Sequence, residues 1–103
     1  MRVSEALDYL AKTDEQLGQL KGTAKYLAEF KVKKIKGEQF LRNTGTKDER
    51  ESKAFNSPEY EAVMNEKKGV DIELETIVAK RKTCELTIEV WRSQNANKRQ
   101  GNI

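Results

Sequence analysis

The sequence predicts an all-α protein: a long antiparallel helical hairpin with short N-terminal and connecting helices, coiled-coil-like and oligomeric. Charged and apolar residues each make up 36% of the 103 residues, and proline occurs once, a composition typical of long exposed helices. Apolar residues at alternating steps of three and four mark one face of a long helix in the second half of the chain. Ser, Thr and Gly residues stand where helices would begin or end.

The first half of the chain predicts a short helix and then a long one. Ser4 can cap a helix over residues 4–12, and residues 13–16 form a capping box that opens a helix over residues 14–42 or marks a bend in a continuous one. The long helix has one apolar set of Leu17, Leu20, Ala24, Leu27, Ala28 and Ile35, and a second on an adjoining face of Tyr26, Phe30 and Leu41. Two apolar faces predict neighbours on both sides.

The connection, residues 43–57, has its own start and stop signals. Gly45 suits the left-handed conformation that ends a helix, and Thr46 with Glu49 forms a capping box for a short connecting helix. Ser57 and Pro58 then cap and open a second long helix over residues 58–95. A flexible basic tail, residues 96–103, completes a single domain over residues 1–103.

The second long helix carries the clearest periodic pattern. Its apolar stripe, predicted to form the core and the oligomer seam, consists of Tyr60, Val63, Val70, Leu74, Ile77, Cys84, Ile88 and Trp91. Trp91 continues the stripe in phase, which favours a packing anchor over a platform for stacked bases. Lys67 and Arg81 interrupt the stripe. Such cations are expected to pair with acids such as Glu66 or Glu85 and to fix register and oligomer number.

The charges are segregated in blocks. Residues 21–42 contain seven basic and two acidic residues, residues 58–79 contain two and six, and residues 80–103 contain six and two. An antiparallel hairpin would place residues 21–42, with a net charge of +5, beside residues 58–79, with a net charge of −4. Two interpretations of the basic run therefore stay open: an electrostatic match for the acidic half of the other helix, or a surface that is free for a ligand.

Several function classes are not expected. The chain has no histidine and one cysteine, so the commonest general base and the ligand sets of zinc sites are missing. There is no glycine-rich phosphate loop. The sequence predicts no enzyme, no cofactor and no metal site. We also expect no signal peptide, because no apolar run follows the first residues, and no stretch approaches the roughly 20 apolar residues of a membrane span; a cytoplasmic protein without membrane contact is expected.

Basic residues form the candidate binding site. A diffuse positive field suits the phosphate backbone of nucleic acid, without sequence readout. The candidate nucleic-acid-binding residues are Lys31, Lys33, Lys34, Lys36 and Arg42 in the first long helix, and Lys82, Arg92, Lys98 and Arg99 near the end of the chain.

Two short motifs, residues 57–60 (Ser-Pro-Glu-Tyr) and residues 88–93 (Ile-Glu-Val-Trp-Arg-Ser), resemble small helical proteins of tailed bacteriophages. The order of a basic first helix, a short polar connection, a serine-initiated second long helix and a basic tail is similar to a shortened version of the recombination mediator family of T-even phages. This resemblance, over roughly residues 16–99, implies a ring-forming protein that binds single-stranded DNA and helps to load a recombinase where single-strand-binding protein would block it. We therefore expect a homo-oligomeric recombination accessory. The alternative is a non-enzymatic helical adaptor or assembly protein that binds another phage or host protein.

Overall fold

The computed structural model describes residues 1–101, apart from the side chain of Gln100, and it is helical almost throughout. Its elements in chain order are α1 (Val3–Tyr26), a π-helical turn (Leu27–Lys31), α2 (Val32–Arg42), α3 (Lys47–Phe55) and α4 (Pro58–Gly101). None of these described residues forms a strand. The predicted all-α class is confirmed.

The first helix is continuous, which corrects the predicted break between residues 4–12 and 14–42. Helical backbone runs from Val3 to Arg42, and no helix begins at Thr13. The Thr13 hydroxyl donates a 2.7 Å hydrogen bond to the carbonyl oxygen of Tyr9, one turn earlier. A threonine in mid-helix can satisfy its hydroxyl in this way, so the capping-box pattern at residues 13–16 did not require a helix start.

The start signals of the connection are confirmed, whereas its predicted helix-ending glycine is placed differently. Both hydrogen bonds of the Thr46–Glu49 capping box are present at the start of α3. Gly45 has a positive φ of 117°, but α2 ends at Arg42 with Asn43 in an extended conformation, so Gly45 forms the turn before Thr46 and does not cap α2. The Ser57 hydroxyl accepts a 3.2 Å hydrogen bond from the Tyr60 amide and caps α4. These elements depend on hydrogen bonds between near neighbours in sequence, which is why the sequence located them well.

The second long helix extends further than residues 58–95, because α4 continues to Gly101. The predicted flexible tail is thus helical over residues 96–101, while its last two residues lie outside the described part of the chain. The side-chain amide of Asn95 donates a 3.1 Å hydrogen bond to the Trp91 carbonyl. Lys98 and Arg99 lie in the last turn, where positive charge complements the helix dipole. Both features favour helix beyond the end of the apolar pattern.

The packing groups the chain into two compact units, and the predicted single domain stays a prediction. Unit 1 comprises Met1–Gly18 and Leu74–Ile103. Its buried residues are Ala6, Thr13, Ile77 and Cys84. The Cys84 thiol lies 3.7 Å from the sulfur of Met1, and Arg81 reaches the backbone of Leu10. The start of α1 therefore packs on the second half of α4.

Unit 2 comprises Gln19–Glu73 and buries Leu27, Gln39, Ala54, Ser57 and Val63. The π-helical turn changes the spacing of its inward positions. Leu20, Ala24 and Leu27 follow at steps of four and three, whereas residues 27, 31, 35 and 39 follow at steps of four, all buried or half-buried. A π turn holds more residues than an α turn, and such an insertion shifts the packing phase. It brings Lys31 into a half-buried position.

Candidate nucleic-acid interface

Lys31 is the member of the basic run that is engaged inside the protein. Its ammonium group lies 2.7 Å from the Glu66 carboxylate of α4, and its side chain is 37% exposed. The hydrogen bond to Glu66 raises the pKa of Lys31 above its usual value. At this contact the basic block of unit 2 faces the acidic block, as the charge pattern suggested. Lys31 is therefore a structural cation and not a free ligand contact.

The other basic residues of the run point away from the packed face. Lys33, Lys34, Lys36 and Arg42 are exposed, and within the described residues none of them forms an ion pair. Of the seven basic residues in the run, Lys31 is matched by an acid, and the four other candidate cations remain at the surface together with Lys21 and Lys25. These four cations are available for phosphate contacts.

Two aromatic side chains lie beside one of these cations, Lys34. Tyr26 and Phe30 are each 53% exposed, with ring centroids 5.6 Å apart and planes tilted by 30°. The Lys34 ammonium group lies 5.8 Å from the centroid of the Phe30 ring, within the range of a cation–π contact. With Gly22, Lys25 and Glu29 the two rings also line an open groove of about 410 Å³. Aromatic and cationic groups are therefore combined on one surface.

We call this surface the aromatic–basic face; it consists of Lys25, Tyr26, Phe30, Lys33 and Lys34. Sequence reasoning did not find it, because Tyr26, Phe30 and Leu41 were assigned to an apolar face with a neighbouring helix. Leu41 is instead 79% exposed. The signal was present in the sequence as two aromatic residues four apart, flanked by lysines. Proteins that bind single-stranded nucleic acid combine such groups, with aromatic rings that stack on bases and cations that contact phosphates.

The later candidate cations belong to unit 1. Lys82, Arg92, Lys98 and Arg99 are exposed on α4, and no ion pair joins them to the described acidic residues. They are spread over about five turns of helix. Trp91 is 49% exposed and lines an open groove of about 680 Å³ with Met1, Arg2 and Val3. It lies at the rim of the packed face, so it is only partly the anchor that the stripe suggested.

The predicted stripe lies on the packed side of α4. Val63, Ile77 and Cys84 are buried, and Tyr60, Val70, Leu74 and Ile88 are half-buried. The stripe is thus largely used inside the chain. An oligomer would need surface outside it.

The two cations of the stripe have other partners than the acids predicted from sequence. Arg81 donates 2.8 Å hydrogen bonds to the Leu10 carbonyl and the Thr13 hydroxyl, and a 2.7 Å bond to the Asp14 carboxylate. Lys67 pairs with Asp71 at 2.6 Å on its own helix. Arg81 therefore joins α4 to α1 within unit 1, whereas Lys67 stabilises α4 locally.

The described part of the chain contains neither a metal-binding cluster nor a membrane-spanning helix. No group of three or more His, Cys, Asp or Glu residues there could hold a metal ion. None of its helices is long and apolar enough to cross a bilayer.

No protein-family model, no curated protein and no solved structure matches this chain.

Proposed function

We propose that this protein binds single-stranded DNA without sequence preference and acts as a recombination accessory, assisting a recombinase or annealing protein and countering single-strand-binding protein. The observation that carries the proposal is the aromatic–basic face of unit 2. Tyr26 and Phe30 offer ring faces to unpaired bases, and Lys25, Lys33 and Lys34 offer charge to the flanking phosphates. The long antiparallel hairpin, the homo-oligomer, the phage origin and the cytoplasmic location belong to the same proposal.

Single strands fit this face better than duplex DNA does. In a duplex the bases are stacked on each other, and a ring on a helix surface can reach only their edges. In a single strand the same ring can stack on a base, a contact worth about 1–3 kcal/mol per base. Several weak sites on an oligomer would add their affinities by avidity.

The first test is fluorescence anisotropy with a labelled single-stranded oligonucleotide at low and moderate salt. Reversing three lysines, Lys33→Glu, Lys34→Glu and Lys36→Glu, should abolish most of the binding. Lys33 and Lys34 belong to the face, and Lys36 is the next lysine of the same run. The matched control reverses Lys47, Lys68 and Lys80, which are exposed, changes the net charge equally and lies outside the run. If the wild type contacts about three phosphates through these lysines, its salt slope should be steeper by about 2 than that of the charge-reversed variant.

The second test separates stacking from charge. Tyr26→Ala and Phe30→Ala together should weaken single-strand binding at least about tenfold while leaving helicity unchanged, because both rings are about half exposed. Phe55→Ala is the aromatic control, since Phe55 is 60% exposed on α3. Equal losses in both variants, or no binding by the wild type at low salt, would overturn the proposal and favour the adaptor alternative.

A further inference from the structure

The stripe of α4 ends on a residue that is not packed. Of its eight members, Trp91 is the one that is exposed, at 49%, whereas Ile77 and Cys84 are buried. Trp91 lines the open groove of unit 1, whose volume of about 680 Å³ is within the roughly 300–1,000 Å³ of ligand pockets. Internal packing therefore leaves a large aromatic surface uncovered, and the proposed function does not use it.

The walls of this groove match the two parts of a nucleobase. Val3, Leu86 and Val90 supply apolar surface, and the side-chain amide of Gln94 can both donate and accept hydrogen bonds. A base has a flat π-face that stacks on an aromatic ring and a polar edge that forms hydrogen bonds. The combination of Trp91, apolar walls and one amide therefore fits an unstacked base, which exposes both its face and its edge.

Two cations border the groove. Arg2 lines it, and Lys98 follows Trp91 by seven residues, which places Lys98 on the same side of α4 and about 10 Å further along. Both cations are exposed, and neither forms an ion pair with a described acidic residue. A base that stacks on Trp91 would therefore have positive charge available for the phosphates of its strand.

The acidic residues nearby do not cancel this charge. Glu85 and Glu89 are the acidic residues nearest to Trp91 along α4, and they lie about 120° and 160° around the helix from it. The Glu5 carboxylate accepts a 3.5 Å hydrogen bond from the backbone amide of Arg2, and it lines a neighbouring pocket and not this groove. The charge at the groove is therefore complementary to a nucleic-acid strand.

We propose that unit 1 contains a second binding site for single-stranded DNA, in which Trp91 stacks on one unpaired base and Arg2 and Lys98 contact phosphates of the same strand. The class of ligand rests on the proposed function, but the site lies in the other unit and shares no residue with the aromatic–basic face. Each site can therefore be removed without the other, and the two proposals can fail separately.

Intrinsic fluorescence tests the stacking directly, because Trp91 is the only tryptophan of the chain. Titration of the full chain with a short oligothymidylate should quench its emission and protect the indole from acrylamide. An abasic strand of the same length keeps the phosphates but has no base to stack, so it should leave the emission unchanged. Equal quenching by both strands would overturn the stacking.

Two other outcomes of this titration would overturn the site. Binding of labelled DNA by anisotropy without a change in Trp91 emission would remove the second site and leave the proposed function standing. Emission that changes with protein concentration alone, and not with DNA, would mean that a second copy of the chain covers the groove.

Substitution of the ring separates stacking from packing. Trp91→Leu keeps apolar bulk but has no ring, and it should raise the dissociation constant for labelled single-stranded DNA about tenfold, whereas Trp91→Phe should stay within about threefold of the wild type. Circular dichroism verifies that both variants are folded. Equal losses in the two variants would assign Trp91 to packing and contradict the site.

The aromatic–basic face provides the comparison. Tyr26→Ala with Phe30→Ala should leave the quenching of Trp91 in place, at a higher DNA concentration. If that double variant bound DNA as the wild type does and Trp91→Leu did not, the binding would belong to unit 1, which would refute the role of the aromatic–basic face and support the second site.

Charge reversal tests the phosphate contacts. Arg2→Glu with Lys98→Glu should raise the DNA concentration for half-maximal quenching about tenfold and lower the salt slope by about 1. Lys47→Glu with Lys68→Glu makes the same charge change at exposed positions of unit 2 and should stay within about twofold of the wild type. An equal effect of the two pairs would show a response to net charge alone and overturn the assigned contacts.

Discussion

Units 1 and 2 each contain a cation that joins two helices, and the two cations differ in how many groups they hold. Arg81 in unit 1 has a side chain only 16% exposed and donates to a backbone carbonyl, a hydroxyl and a carboxylate. Lys31 in unit 2 is 37% exposed and has a single carboxylate partner. The planar guanidinium can direct several bonds at once, whereas the ammonium acts as a hydrated point charge. Arg81 should therefore set the helix register of its unit, and Lys31 should contribute little to stability.

Arg81→Ala should have the largest effect. It removes three hydrogen bonds between α1 and α4 together with the packing of a side chain that is only 16% exposed, and we expect a loss of about 2–3 kcal/mol in the free energy of unfolding. That loss corresponds to a fall of roughly 10–20 °C in Tm for a chain of this size. Thermal unfolding followed by circular dichroism measures it. Arg92→Ala, at an exposed cation of the same helix, is the control, and an equal loss there would refute the special role of Arg81.

Gly45→Ala should lower the free energy of unfolding of unit 2 by about 2 kcal/mol. Gly45 has φ 117°, which side chains with a Cβ rarely adopt, and its new Cβ would collide with the Glu49 carboxylate of the capping box. Urea unfolding measures the change.

Gly37→Ala is the matched control, and it should raise the free energy of unfolding by about 1 kcal/mol. Gly37 lies within α2, and a Cβ there meets nothing within 4 Å, so alanine gains helix propensity without a clash. If Gly45→Ala did not lower the urea midpoint, the strain assigned to the positive φ of Gly45 would be wrong; if Gly37→Ala did not raise it, the gain from helix propensity would be wrong.

Lys31→Ala should have the smallest effect on the free energy of unfolding, because ion pairs that water reaches contribute little to stability. The pKa of Lys31 is raised by Glu66, so its contribution to stability is present below the unfolded pKa and is lost as pH rises through the higher folded pKa. A lysine titration by NMR in Glu66→Gln should show the Lys31 pKa moving down. An unchanged pKa would contradict the contact.

Hydrogen exchange can sharpen the comparison between the units. Arg81→Ala should speed exchange of backbone amides near Leu10 and Thr13 more than those near Ile35, because the lost contacts belong to unit 1. Lys31→Ala should show the opposite order at a smaller amplitude. Uniform acceleration in both variants would mean that the two units open together.

Much of the fold followed from local signals in the sequence. The Thr46–Glu49 box, the Ser57 cap and the Gly45 turn involve residues within a few positions of each other. The inward stripe of α4, including Val63, Ile77 and Cys84, followed from helical spacing alone. The candidate site was predicted less well: Lys33 and Lys34 lie at the surface as expected, but Lys31 is paired, and Tyr26 with Phe30 was assigned to packing.

The sequence by itself determined the all-α class, the caps that start α3 and α4, and the face of α4 that packs inward, because these depend on backbone hydrogen bonds and periodicity over a few residues. Only the tertiary structure decided that Arg81 pairs with Asp14 and not Glu85, that the π turn brings Lys31 to Glu66, and that Tyr26 and Phe30 stay exposed. These outcomes depend on how far one helix is shifted along another. A shift of one residue moves a side chain by about 100° around the helix, and no local signal specifies it.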